Sequence, residues 1–226
     1  MKIIGMVPAR IGSKRLAAKN LKRLQGRPLL AIAVQKCLDA GVFDEIWVNA
    51  DDPAFERIAV DMGVRYHPRP AHLADDNATS EEYVQEFLEV HPCDLLVQVH
   101  SIAPAIGHST VARFVEAFRS ADADVMLSVV HEPLECLYEG RPVNFSMASK
   151  QNSQDLRVLE RITWGLTGWR RSVYLDAAAQ GRCATWYGRI ATFPLTRFEG
   201  HVIKTEEDLQ LAECMLQAPI AEHGGG

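Results

Sequence analysis

Short apolar runs alternate along this chain with longer segments whose apolar positions return at helical spacing. Ile3–Val7 reads as a buried strand. Pro28–Ala40 reads as a helix: Leu29, Leu30, Ala33, Val34, Cys37 and Leu38 share one stripe, and Gly41 ends it. The alternation continues with Glu45–Asn49 as a strand, Pro53–Met62 as a helix stopped by Gly63, and Val64–His67 as a short strand. Ser80–Glu89 follows as a helix capped by Thr79 or Ser80, and Leu95–Val99 as a buried strand closed by a polar turn and Pro104. Ser109–Ser120 and Val125–Val130 add one more helix and strand. Strands separated by helices of this length predict a mostly parallel sheet covered on both faces, a three-layer α/β/α fold.

The pattern then breaks. From His131 to Trp164 the chain is polar and irregular, with Pro133 and Pro142, which suits a functional excursion or an oligomer arm. Trp169–Ala178 resumes a helical pattern, and Cys183–Arg189 and Glu199–Ile203 read as late strands. Thr205–Leu216 reads as a helix, opened by Thr205 with Asp208 three residues on, a capping-box arrangement. The expected organisation is one domain over 1–218, with an arm at about 131–168, and a disordered tail at 219–226.

Composition narrows the function classes. The chain has 226 residues, 47% of them hydrophobic, enough for one substantial core. Its net charge of -5 opposes a nucleic-acid track, and no apolar run approaches the roughly 20 residues a membrane span needs. The start of the chain lacks the pattern of a secretory signal, and five widely spaced cysteines fit a reduced setting, so a cytoplasmic location is expected. No Cys/His spacing suggests zinc.

Against this acidic background one loop is basic. Ile3–Val7 runs into Pro8-Ala9-Arg10-Ile11-Gly12-Ser13-Lys14-Arg15-Leu16-Ala17-Ala18-Lys19-Asn20, with two arginines, two lysines, a hydroxyl and a glycine. At the carboxyl end of a strand such a loop is built to hold an anion, with Arg10, Ser13, Arg15 and Lys19 as donors and Gly12 allowing close backbone approach. It is neither a Walker A loop nor a GxGxxG turn. Other segments suit a polar ligand. In Asn49-Ala50-Asp51-Asp52, Asp52 is expected to cap the next helix and Asp51 is open between capping and ligand. In the Arg69–Ser80 segment, Arg69 leads and Thr79 and Ser80 follow. Gln98 is a polar group where a strand should be apolar, so it needs a partner. His100 lacks a nearby carboxylate in sequence, which favours binding or packing over acid–base work. Asn152-Ser153-Gln154-Asp155, with Trp164-Gly165, suits hydrogen bonding to a polyol, or a plain surface turn.

In this order the segments resemble the acylneuraminate cytidylyltransferase family, the CMP-sialic acid synthetases with CMP-Kdo synthetases as more distant relatives. VPARIGSKRLAAKN is similar to the family's nucleotide-binding signature, NADD to its T-D-D turn, RPAHLADDNATS to its R-P-x-x-L-A-x-D segment, and QVHSIAP to its Q-x-x-P-T-S-P. NSQDL resembles its Q-D motif, and KTEEDLQLAE its D-I-D-T-x-E-D-L-x-x-A-E. The resemblance implies a nucleotide-diphospho-sugar transferase-like fold and a homodimer completed by an irregular dimerisation arm. It also implies cytidylyl transfer from CTP to a 2-keto sugar acid, a small anionic acceptor, with Mg²⁺ and release of pyrophosphate. By position, Ala9, Arg10, Gly12, Ser13, Arg15 and Lys19 would hold the triphosphate and Asn20 the nucleotide. Arg69, Thr79 and Ser80 would lie near the cytidine, and Gln98, His100, Gln154 and Asp155 would face the acceptor. No nucleic-acid or membrane partner is implied.

The chain departs from that pattern on the metal and acceptor side. The two metal-binding aspartates fall on Val202 and Lys204, Ile102-Ala103 replaces T-S, and Trp164-Gly165 replaces an N-G. The leading expectation is therefore a cytidylyltransferase for a non-standard acceptor, another acidic sugar or a phosphonate, with Arg10, Lys19 and Lys204 as the catalytic cations; either Lys204 stands in for part of a metal's charge, or a metal is held by triphosphate oxygens and another carboxylate such as Asp51. A nucleotide-binding paralogue with altered catalysis is the alternative. A transferase for sugar 1-phosphates ranks below both, because its G-x-G-x-R run is missing.

Overall fold

The structure is a computed structural model that describes residues 1–12, 15–75 and 77–217. Seven strands form the central sheet: β1 (Ile3–Pro8), β2 (Glu45–Ala50), β3 (Arg65–Pro68), β4 (Leu95–Val99), β5 (Val125–Glu132), β6 (Leu159–Arg170) and β7 (Ile190–Leu195). Six helices join them: α1 (Leu29–Ala40), α2 (Pro53–Asp61), α3 (Ser80–Val90), α4 (His108–Ser120), α5 (Arg171–Ala179) and α6 (Glu206–Gln217). The sheet order is β7-β5-β6-β4-β1-β2-β3. Only β6 runs antiparallel to its neighbours, β4 and β5. The expected three-layer architecture is therefore the observed one.

Alternation along β1 divides the core. Ile3 and Val7 join Leu30, Val34, Phe55, Val111 and Phe114 beneath α1, α2 and α4. Ile4 and Met6 join Val84, Phe87, Trp169 and Tyr174 beneath α3 and α5. A third, smaller cluster seats α6 through Leu209 and Ala212 against Leu16, Leu24 and Leu29. No helix among the described residues is long and apolar enough to cross a membrane.

Three expectations are corrected. The irregular excursion ends earlier, because β6 begins at Leu159 and runs through Trp169, which the sequence placed in a helix. Within it, Ile162 pairs with Val129 but Thr167 with Leu127, so Thr163, Trp164 and Gly165 bulge from the ladder. Ser128 holds this bulge with its Oγ on Thr163 Oγ1 at 2.7 Å and accepting from Leu166 N at 3.0 Å. The late strand is Ile190–Leu195, after a 3₁₀ turn at Ala184–Trp186, and not Cys183–Arg189. Glu199–Ile203 is not a strand; Glu199 accepts from Thr196 N at 3.1 Å and closes a turn. The expected tail lies outside the described residues.

Candidate active site

β1 leads to β2 and β3 on one side, and the chain then returns to β4 on the other, so the crevice beyond the carboxyl ends of β1 and β4 is the topological switch point of the sheet. A cleft of about 300 Å³ opens there. Ala9, Arg10, Lys19, Asn20, Arg69, Ser80 and His100 line it, seven of the residues expected from sequence.

The basic loop is fixed by short polar contacts. Ile11 N donates to Asp51 Oδ1 at 3.1 Å, so Asp51 anchors the loop. Asp52 caps α2, accepting from Ala54 N at 2.8 Å. Arg10 reaches across to the Asp75 carbonyl at 3.0 Å. Asn20 is buried; its Nδ2 donates to the Arg10 carbonyl at 3.1 Å, and its Oδ1 accepts from Ser101 Oγ at 2.7 Å. Asn20 thus pins the loop after β1 to the loop after β4, and both ends of its amide are engaged inside the protein. Gly12 is exposed with open space where a Cβ would sit, so nothing among the described residues requires glycine there. Ser13 and Lys14 lie outside the described residues.

Lys19 Nζ donates to the Ile203 carbonyl at 3.3 Å, and Ile203 N donates to the Ile102 carbonyl at 2.8 Å. This joins the basic loop, the loop after β4 and the approach to α6. Burial holds the Lys19 ammonium below the ordinary lysine range, and repulsion from Arg15, Arg10 and Lys204 lowers it further, with Asp208 opposing. Crowded like charges are unfavourable unless an anion joins them. Arg15 and Lys204 are exposed, outside the cleft wall.

Arg69 is buried. Its Nε donates to Asn49 Oδ1 at 2.7 Å and its Nη2 to the Asn49 carbonyl at 2.9 Å, while its guanidinium lies 4.0 Å over the Tyr83 ring. Tyr83 also meets Gln98, whose Nε2 donates to the phenol at 3.4 Å. Gln98 Oε1 and His100 Nε2 are 2.9 Å apart. An amide oxygen only accepts, so Nε2 carries the proton. Burial, then the nearby Lys19 and Arg69, push His100 down to about 4, and the ring is neutral near pH 7. These contacts meet the polar demand that marked Gln98 in the sequence.

Thr79 and Ser80 separate. Thr79 caps α3 in a reciprocal box with Glu82: Thr79 N donates to Glu82 Oε2 at 2.6 Å and Glu82 N to Thr79 Oγ1 at 3.3 Å. Ser80 faces the cleft. Gln154 and Asp155 sit in an exposed 3₁₀ turn of the excursion and are not among the residues that line the cleft. Sequence reasoning passed over Tyr83, because it neighbours Val84, Phe87 and Leu88 on an apolar helix face. It also passed over Lys36, buried in α1, whose Nζ donates to the Ala103 carbonyl at 2.7 Å and steadies the loop after β4. Nothing in the spacing of α1 distinguishes that lysine from a solvated one.

Asp75 is the one acid among the described residues that line the cleft, and a single carboxylate with phosphate oxygens is a usual way to hold Mg²⁺. The described carboxylates around the cleft are each turned to backbone N–H groups: Asp51 to Ile11, Asp75 to Asn77 at 2.8 Å and Ala78 at 2.9 Å, and Asp208 to Lys204 and Thr205, both at 2.8 Å. Among the described residues no three His, Cys, Asp or Glu side chains converge to hold a metal ion.

A family model for cytidylyltransferases matches residues 4–158. The N-acylneuraminate cytidylyltransferase A of Danio rerio is 28% identical over 129 residues, 57% of this chain and 30% of that protein. The pseudaminic acid cytidylyltransferase of Campylobacter jejuni strain 81-176 is 32% identical over 128 residues, 52% of this chain and 53% of that protein. The chain thus spans about a third to a half of the length of these curated relatives. Two solved structures share the fold. A CMP:2-keto-3-deoxy-manno-octonic acid synthetase complexed with CTP has a TM-score of 0.74 at 20% identity, covering 96% of this chain and 99% of that one. A cytidylyltransferase of Leptospira borgpetersenii has a TM-score of 0.67 at 14% identity, covering 100% and 90%.

Proposed function

Because the chain belongs to the cytidylyltransferase family, we propose that it transfers the cytidylyl group of CTP to a hydroxyl of a small acidic sugar, with release of pyrophosphate. The observation that carries this reading is the gathering of Arg10, Lys19 and Arg69 on one cleft at the switch point of the sheet. The acidic-sugar class follows the names of the relatives, which include N-acylneuraminate and pseudaminic acid cytidylyltransferases. The non-catalytic alternative draws no support from relatives so named.

In this reading an acceptor oxygen bonds to the α-phosphorus as the bond to the pyrophosphate oxygen breaks. Negative charge grows on the phosphoryl oxygens and the leaving group, and cations already in place stabilise it without reorganising. Arg10 and Lys19 supply that charge, and Ser13 and Gly12 complete the triphosphate loop. Arg69, held flat by Asn49 and Tyr83, faces the nucleoside side together with Ser80. His100, neutral and held by the buried Gln98 behind it, faces the acceptor. The expected homodimer belongs to the same proposal; the excursion exposes Leu137, Tyr138, Val143 and Met147, apolar side chains that such an arm would bury.

Incubation with labelled CTP and a panel of sialic, pseudaminic and Kdo-type acids tests the reading. Pyrophosphate release with at least one acid is expected. A melting temperature unmoved by CTP, with no release for any acid, would overturn it.

A further inference from the structure

Resting on that reading, we propose that a second hollow, beside the cleft, binds the carboxylate of the acceptor, with Arg161, Arg197 and Lys204 as its donors. The hollow has a volume of about 450 Å³ and lies between β6, the turn after β7 and the start of α6. Small-molecule sites span roughly 300–1,000 Å³, so it has room for more than a lone inorganic anion. Arg161, Arg197, His201 and Lys204 line it, and Leu211 and Met215 of α6 add an apolar wall suited to a carbon skeleton.

Position ties the hollow to the acceptor. Glu132 closes β5, Arg161 pairs with Val130 near that end, and Arg197 follows β7 by two residues. The hollow therefore opens at the same carboxyl edge of the sheet as the cleft, on the β5 side, while Arg69 follows β3 at the far side. One strap of chain divides the two. Ile203 accepts from Lys19 Nζ and donates to the carbonyl of Ile102, which lines the cleft, and its neighbours Val202 and Lys204 line the hollow.

Charge ties it to an acid. Glu132 accepts from Arg161 Nε at 3.0 Å and pairs with Arg197 Nη2 at 3.7 Å. Two guanidinium groups on one carboxylate leave a positive charge over, and 3.7 Å is too long for a hydrogen bond, so the N–H groups of Arg197 have no acceptor among the described residues. The Lys204 ammonium likewise makes no hydrogen bond or ion pair among the described residues. Asp208, the one acid in the lining, turns its Oδ2 to Lys204 N and Thr205 N, both at 2.8 Å, and its carbonyl accepts from His201 Nε2 at 2.8 Å. A guanidinium fork with open donors beside an ammonium matches the two oxygens of a carboxylate.

Kinetics on the full chain tests this with the sialic, pseudaminic and Kdo-type acids, each beside its carboxamide. For an acid that releases pyrophosphate, Arg197→Ala and Lys204→Ala should each raise the KM of that acid about tenfold and hold the KM of CTP within about threefold. The wild type should prefer the acid to its carboxamide by about tenfold or more in kcat/KM. The double variant Arg197→Ala, Lys204→Ala should prefer it by less than about threefold, a ratio that loss of packing alone would not move. Both side chains are exposed, so the variants should fold, which a melting curve checks. A wild type indifferent to the carboxamide, or an unchanged preference in the double variant, overturns this inference and leaves the proposed function standing. So does an unchanged KM for the acid where the double variant loses inorganic phosphate binding, measured by calorimetry with CTP bound, which would make the hollow a free-anion site. Pyrophosphate release with none of the acids overturns both.

Discussion

Lys19 is the side chain on which the chemistry concentrates. It is crowded by like charges before any anion arrives, and among the described residues it donates to the Ile203 carbonyl. If it stabilises charge that develops at the transition state, Lys19→Ala should lower kcat by about a hundredfold or more while raising the KM for CTP far less. Equal losses in both would reassign it to ground-state binding. Thr79→Ala separates a cap from a ligand contact. It should lower stability by about 1 kcal/mol, as loss of a capping box does, and leave CTP affinity unchanged. A fall in affinity without loss of stability would return Thr79 to the cleft. At this scale the sequence marked the cleft well, because cations after a buried strand have few structural uses. It could not show that Asn20 and Thr79 spend their polar groups inside the protein, since that depends on Ser101, Arg10 and Glu82 being brought near.

At the scale of elements, β6 shows why part of the chain was illegible. Its outer half carries the exposed Glu160 and Arg161, its middle bulges at Thr163–Gly165, and Gly168 lowers strand propensity. None of these features alternates cleanly, and Trp164 adopts a positive φ of 58° that only the surrounding contacts can hold. Gly168 has a packing cause outside the strand: a Cβ there would lie 2.7 Å from Phe118 Cδ1 of α4. Gly168→Ala should therefore destabilise the protein by about 1–3 kcal/mol, read from denaturant unfolding. A neutral result would show that α4 can shift to make room. β7 escaped notice for a related reason: it pairs only with β5 and carries Pro194, which an edge strand tolerates. By contrast, the helices with Asp52 and Thr79 caps and the strands of continuous apolar sequence were readable to within a residue or two.

For the whole molecule, the switch-point topology makes one cleft out of loops far apart in sequence, and the family match at 4–158 covers the β1, β3 and β4 sides of it. The departure at Ile102-Ala103 falls inside that match, and those at Trp164, Val202 and Lys204 fall beyond it. Global stability should also report on the site. His100 is pushed down to about 4 in the fold, chiefly by burial, against an ordinary value of 6.5, and His91 is likewise pushed to about 4. Between those limits the unfolded chain takes up protons that the folded one refuses, so stability is full above pH 6.5 and falls as pH drops toward 4. For His100 the loss should be on the order of 2 kcal/mol, allowing for the solvent that the cleft admits. Denaturant titrations from pH 7.5 to 4.5 should show a shallower decline for His100→Asn than for the wild type; parallel declines would contradict the assignment.

The central claim is that the cleft between the ends of β1 and β4 holds CTP by its phosphates. A crystal structure of the protein with CTP tests it most directly. The triphosphate is expected within hydrogen-bond distance of Arg10 and Lys19, with the base toward Arg69 and Ser80. CTP bound elsewhere, or an empty cleft at saturating CTP, would contradict the claim.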